Sequence, residues 1–192
     1  MIHSGFSFRI HLIQTIWIMN AWWLTVFSFG MNQKHLDQGL HNESVCKHLN
    51  KRPDYTDWVI TTAFYSAMHL IYGYILPVNV HGGSGGGKAR VKSFEELYHF
   101  MVPFKDQSKH EFSISYIEEH LPQLADYYQF LFDNCQMARY HEFKFDREIS
   151  NQAVKCLKSI KDFCTQNSPP KWQAKNYLSV AQPIHFYPDL PK

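Results

Sequence analysis

Groups that exchange protons near neutral pH are abundant in this sequence, since twelve of its 192 residues are histidine and imidazole is the side chain that titrates there. Where they sit decides what they could do. His69 belongs to the run Trp58, Thr62, Tyr65, His69 and Tyr72, whose three-and-four spacing lines hydroxyls and an imidazole along one helical face. His35, His41 and His48 share another segment, but not at the one-turn spacing that sets two imidazoles on one ion, and they read as mostly solvated. HEFSI at His110 and HEFKF at His141 begin like a zincin helix and lack its second histidine four residues on. The four cysteines, Cys46, Cys135, Cys156 and Cys164, show no CxxC pair and fall on apparent core stripes, so free thiols in a reducing compartment are expected. None of these sets calls for a metal or a cofactor.

A glycine run offers two further motifs. Gly82 to Lys88 has the GxxxxGK spacing of a phosphate-binding loop, with Ala89 where a magnesium-binding Ser or Thr is required, and Ser84 stands in a GxSxG pattern. Both need a strand leading in and a helix leading out within an α/β sheet. With no other strand-like segment from which to build that sheet, 81–90 reads as a linker on the surface of a helical protein.

The elements that must position these residues are helical. Asp54 to Leu76 reads as one long helix, with Ile60, Ala63, Phe64, Ala67, Ile71 and Tyr74 on one face and the His69 stripe on another. A helix clothed on both faces belongs inside a bundle. Asp54 is placed to cap its start and Pro77 to end it. Before it, 32–50 forms a helix with Leu36, Leu40, Val45 and Leu49 as apolar positions. After it, Ser93 with Glu96 and Ser108 with Glu111 read as two capping boxes. The first opens a short helix burying Phe94, Leu97, Phe100 and Met101; the second opens one burying Phe112, Tyr116 and Ile117, with His110 in its first turn. Pro122 starts a helix with the stripe Leu124, Tyr128, Leu131, Cys135 and Ala138, and Arg139 lies just off it. Asp146 caps a last helix that turns Ile149, Ala153, Cys156 or Leu157, Ile160 and Phe163 inward and Lys155, Lys158 and Lys161 toward solvent.

Composition supports one domain: 45% hydrophobic and 19% charged residues are globular values, and a net charge of +2 is too small to announce a nucleic-acid partner. Residues 1–30 stand apart as an apolar extension. Three readings compete there: a signal peptide with a poor cleavage site, a membrane anchor over 10–29 diluted by His11, Gln14 and Asn20, or a true start at Met31, which is favoured. The division that follows is an extension over 1–30, a helical bundle over 31–166 and a proline-rich extended tail over 167–192. A cytoplasmic location is expected, with a membrane-anchored form as the alternative if 1–30 is retained.

DYTDWVITTAFYSAMH, then SKHE, then LFDNCQMARY resemble HEPN-like domains, in particular the bacterial group with DW, FY and H on one helix, an S-x-H turn and a terminal ARY. The resemblance spans roughly 34–163. It implies an all-α, up-down bundle of about five helices, often a homodimer, in a family associated with RNA cleavage or nucleotide binding in toxin, defence and stress systems. RNA or a nucleotide, a second copy of the chain and a protein partner are the partners it implies. Metal-free RNA cleavage requires a base, an acid and a cation for the developing charge; the candidates here are His69 and His110 for proton transfer, Arg139 for charge and Tyr65 as an orienting hydroxyl. The arginine followed four to six residues later by histidine, carried by the ribonucleases of that superfamily, is absent. Arg139 is followed by His141, about 200° round a helix. Two alternatives therefore accompany the enzymatic one: a buried Tyr65–His69–Arg139 network that fixes helix register, and a non-catalytic dimerising interaction module.

Overall fold

The computed structural model describes residues 32–81, 88–102, 107–141, 145–169 and 173–174. The apolar extension, the glycines of 82–87 and most of the tail lie outside them. Among the described residues six α-helices form, α1 (Gln33–Leu49), α2 (Thr56–Ile75), α3 (Phe94–Met101), α4 (Lys109–His120), α5 (Pro122–Tyr140) and α6 (Arg147–Gln166), with strands β1 (Val78–His81), β2 (Lys88–Val91) and β3 (Gln173–Ala174). As expected, the protein is an all-α bundle, here with a small sheet at its side.

Helix α2 is the axis. Thirteen of its 20 residues are buried, because α1, α5 and α6 all pack against it. Phe64 is 1% exposed and meets the rings of Tyr128 and Phe132 from α5 at 5.6 and 5.8 Å. Near the other end Tyr72 stacks on Phe94 of α3 at 4.0 Å, and Phe94 in turn meets Phe112 of α4. Truncating a ring such as Phe64 to alanine would cost about 3–5 kcal/mol. The helix starts two residues later than expected. Pro53–Tyr55 form a single 3-10 turn that takes in Asp54, and the buried Thr56 hydroxyl accepts the amide of Phe145 at 3.2 Å.

The α1–α2 pair is set by glycine. A Cβ on Gly39 would stand 2.9 Å from Leu70 Cγ, and one on Gly73 would stand 3.1 Å from the Leu36 amide nitrogen. The backbones come close enough for the Asn32 amide to donate to the Gly73 carbonyl at 2.9 Å and for the Ser66 hydroxyl to donate to the Gly39 carbonyl at 2.7 Å. The inward face of α1 is therefore Gly39, Glu43 and Cys46, while Leu40 is 38% exposed and Leu36, Val45 and Leu49 are half-buried.

Glu43 is buried between Lys161 of α6, at 2.8 Å, and Lys47, at 2.6 Å. Burial pushes its carboxyl up, but the two ammonium groups outweigh this and hold it below the usual range. Lys161 was expected in a solvated lysine row. It is drawn in by Glu43 because a buried carboxylate needs a paired cation, and only Lys155 and Lys158 of the row are exposed.

The capping signals hold in part. Ser108 and Glu111 make the full reciprocal box, whereas the Ser93 hydroxyl accepts the Glu96 amide and the Glu96 carboxylate reaches past it to the Lys92 amide. Asp146 occupies the N-cap position of α6 without a side-chain bond. There Arg147 secures the helix start by donating to the Arg52 carbonyl at 3.2 Å and to the Asn50 carbonyl. The α5 stripe is buried as expected, at Leu124, Tyr128, Leu131, Cys135 and Ala138, and all four cysteines are free and buried.

Both ends of the stretch expected as a linker, His81 and 88–90, lie in paired strands instead. β1 and β2 run antiparallel in the register Val78↔Val91 to His81↔Lys88, and β3 adds in parallel beside β1. Val78, Val80 and Val91 are buried on the bundle, which gives the pair the apolar face that strands need. A strand, not a helix, thus follows the glycines, so neither the phosphate-loop motif nor the serine elbow has the elements it requires. No helix among the described residues is long and apolar enough to cross a membrane.

Candidate functional site

Tyr65 and His69 lie one turn apart on α2, Arg139 in the last turn of α5 and His110 in the first turn of α4. Two of these four are in contact, and His110 lies near enough for the Arg139 charge to act on it. The Arg139 Nη1 donates to the Tyr65 hydroxyl at 2.9 Å. Its guanidinium carbon sits 4.8 Å from the centroid of the Tyr140 ring and 5.9 Å from that of Tyr65, both within cation–π range. His110 packs its ring against Phe132 and Phe64 at 5.6 and 6.5 Å. Partial desolvation against these rings, then the charges of Arg139 and Lys109, hold its pKa below the usual histidine value although much of the residue stays exposed, so near pH 7 it is a neutral proton acceptor.

The cluster is open. Arg139 and His110 are exposed and Tyr65 half-buried, which differs from a buried network fixing helix register. With one guanidinium nitrogen committed to Tyr65, the remaining donors of the fork are directed elsewhere, and Tyr140, 60% exposed, stands beside them. Trp58, on the same α2 stripe seven residues before Tyr65, is 57% exposed. Such a surface suits an anion with a flat ring attached: guanidinium for the charge, exposed aromatic faces for stacking.

His69 has a different partner. Its Nδ1 is 2.9 Å from Nδ1 of His35 on α1, the two ring centroids are 5.2 Å apart, and the Tyr72 ring stands edge-on to His35 at 5.7 Å. Burial, and for His69 also the neighbouring His35, hold both imidazoles below the usual value. His35 is thus half-buried and not solvated as its segment suggested; His41 and His48 are exposed. Nothing in the spacing of His35 and His69 announces the pair, because they belong to different helices that only the Gly39 and Gly73 crossing brings together.

Deeper in the bundle a third polar set has no route to a substrate. The Tyr72 hydroxyl donates to Ser113 Oγ at 3.4 Å, and Ser113 Oγ is 3.0 Å from the Tyr128 hydroxyl. Burial pushes the Tyr72 phenol up to about 12 and Tyr128 well above its usual value, so both stay protonated and serve as structural hydrogen-bond partners.

Among the described residues no three His, Cys, Asp or Glu converge as a metal-binding group. Compared with protein-family models, with curated proteins and with solved structures, the chain matches none.

Proposed function

We propose that this is a HEPN-like protein that handles RNA or nucleotides through the surface that carries the Tyr65–Arg139 contact, with His110 nearby. The observation that carries this reading is the exposed Arg139 guanidinium, oriented by the Tyr65 hydroxyl and flanked by the Tyr140 ring. In this reading a phosphate accepts from the guanidinium, a base stacks on the exposed aromatic rings, and neutral His110 is the group that would take a proton from a ribose hydroxyl. Strand cleavage needs a proton donor as well. His69 is engaged with His35, so of the two candidate imidazoles His110 alone is left near Arg139, and in this reading a second copy across an interface is the source of another. The same resemblance places such an activity in a toxin, defence or stress system.

The test uses the full chain with a fluorescent single-stranded RNA, scoring binding by anisotropy across a salt series and cleavage on a gel with and without chelator. Arg139→Ala is expected to weaken binding about tenfold and to flatten the salt dependence by about one unit of slope. Tyr140→Ala weakens binding with little change in slope. Binding equal to wild type in the folded Arg139→Ala protein refutes the site.

A second reading rests on Trp58. A tryptophan 57% exposed on the central helix is the kind of residue that anchors an interface, and it favours a non-catalytic dimerising module. Sedimentation of wild type against Trp58→Ser separates the two: a dimer that Trp58→Ser dissociates, with no RNA bound by either protein, selects the module.

A further inference from the structure

The Nδ1 atoms of His35 on α1 and His69 on α2 lie 2.9 Å apart. Without an ion this contact is a hydrogen bond, and it requires opposite tautomers: one ring carries its proton on Nδ1, the other on Nε2. Both lone pairs would otherwise point at the same place. We propose that this pair is a two-histidine site for a late first-row divalent transition-metal ion, with water completing the coordination.

Three features of the fold build it. Gly73 lets the start of α1, where His35 sits, lie close against α2, since a Cβ there would stand 3.1 Å from the Leu36 amide nitrogen. The Tyr72 ring, at 89° to His35, fixes that imidazole's orientation. Both rings are half-buried, so the ligands are held while one side stays open to solvent, and burial keeps them neutral, the form that ligates.

The separation also selects among ions. With metal–nitrogen bonds of about 2.0–2.1 Å, nitrogens 2.9 Å apart subtend about 90° at the metal. That is the angle between neighbouring ligands in square-planar or octahedral complexes, which favours Cu(II) and Ni(II); Zn(II) binds more weakly, once the nitrogens open by about 0.4 Å toward tetrahedral geometry. Two protein ligands make an exchangeable site, not a structural one. The proton balance is simple: the ring that held its proton on Nδ1 moves it to Nε2, both Nδ1 lone pairs bind the ion, and none is released while both rings start neutral. His69 then serves as a ligand, independently of what the Arg139 surface binds.

The full chain is titrated with NiCl2, with MgCl2 as the control, and followed by thermal unfolding. Histidine-selective 15N spectra are recorded with diamagnetic ZnCl2. Nickel is expected to raise the Tm of wild type and of His41→Gln, and to bind His35→Gln and His69→Gln at least tenfold more weakly with little rise. Zinc is expected to convert His35 and His69 from one Nδ1–H and one Nε2–H ring to two Nε2–H rings. A nickel shift undiminished in His35→Gln places the ion on other histidines and overturns the proposal. Unchanged 15N signals of both rings on adding zinc, with no nickel shift in wild type, leave a hydrogen-bonded pair and overturn it equally. Because the spectra are read on wild type, the result stands even where a glutamine variant folds poorly.

Discussion

Gly39→Ala tests how α1 and α2 are held together, because two effects of known size act on it in opposite directions. In a solvated helix this change stabilises by about 1 kcal/mol, since alanine is the better helix former and glycine has more backbone freedom to lose. At this position the added methyl would sit 2.9 Å from Leu70 Cγ, 3.1 Å from Cδ2 and 3.1 Å from the Leu70 backbone nitrogen. The side chain could turn away from the first two; the third is part of the α2 backbone, so the helices themselves must separate. Overpacking of that kind costs about 1–3 kcal/mol. The bond from the Ser66 hydroxyl to the Gly39 carbonyl, 2.7 Å long, is stretched by the same movement, at a further cost of about 1 kcal/mol. The net expectation is a loss of about 1–3 kcal/mol, seen as a lower urea midpoint at unchanged m value and a Tm lower by several degrees. Gly73→Ala meets its nearest atoms at 3.1 and 3.4 Å and should cost less. Since one separation of the helices relieves both clashes, the double variant should lose less than the sum of the singles. A Gly39→Ala protein as stable as wild type, or more so, refutes the close crossing.

Two other outcomes follow from buried groups. Ser113→Ala removes the hydroxyl shared by Tyr72 and Tyr128, at 3.4 and 3.0 Å, and should cost about 1–3 kcal/mol in urea unfolding; Tyr72→Phe gives up only the longer contact and should cost less, an order that would be reversed if the network were not centred on Ser113. The unfolded chain protonates His35 and His69 at their ordinary value of 6.5, whereas burial lowers both in the fold, so stability is complete above that pH and is lost as pH falls below it toward the folded values. Urea midpoints between pH 8 and pH 5 should therefore drop more steeply in wild type than in a His35→Gln, His69→Gln double variant, and equal slopes would show that the pair does not titrate differently on folding.

Helices with a plain apolar stripe were legible in the sequence, and α5 is the clearest case: all five stripe residues are the buried ones. Helix α1 misleads for a physical reason. Its packed face is made of a glycine, a glutamate and a cysteine, so apolarity points away from the contact and Leu40 is left on the surface. Tyr98 is buried where only its helix neighbours were expected, because its hydroxyl reaches the Gln107 carbonyl at 2.6 Å and satisfies the group that would otherwise favour solvent. Four-residue strands around glycines carry too little alternation to be seen, and β3 is shorter still. Of the candidate site, the residue types were legible and the grouping was not. Tyr65 and Arg139 are 74 positions apart and His35 and His69 are 34 apart, distances over which periodicity within one helix carries no information.

The Glu43–Lys161 pair joins positions 118 residues apart, and this sets an order of events while the chain is being made. At about 5–20 residues per second, Lys161 is added some 6–24 s after Glu43. During that interval α1 can wind, and the Glu43 carboxylate has Lys47, one turn away, to lean on. It cannot yet be enclosed, because the helix that walls it in has not been synthesised. The Tyr74 hydroxyl waits in the same way for the Ser168 carbonyl, 94 positions later. A ribosome-bound chain that ends before α6 therefore presents α2, the most apolar helix among the described residues, with one side uncovered, and its burial is completed by the last of those helices to arrive.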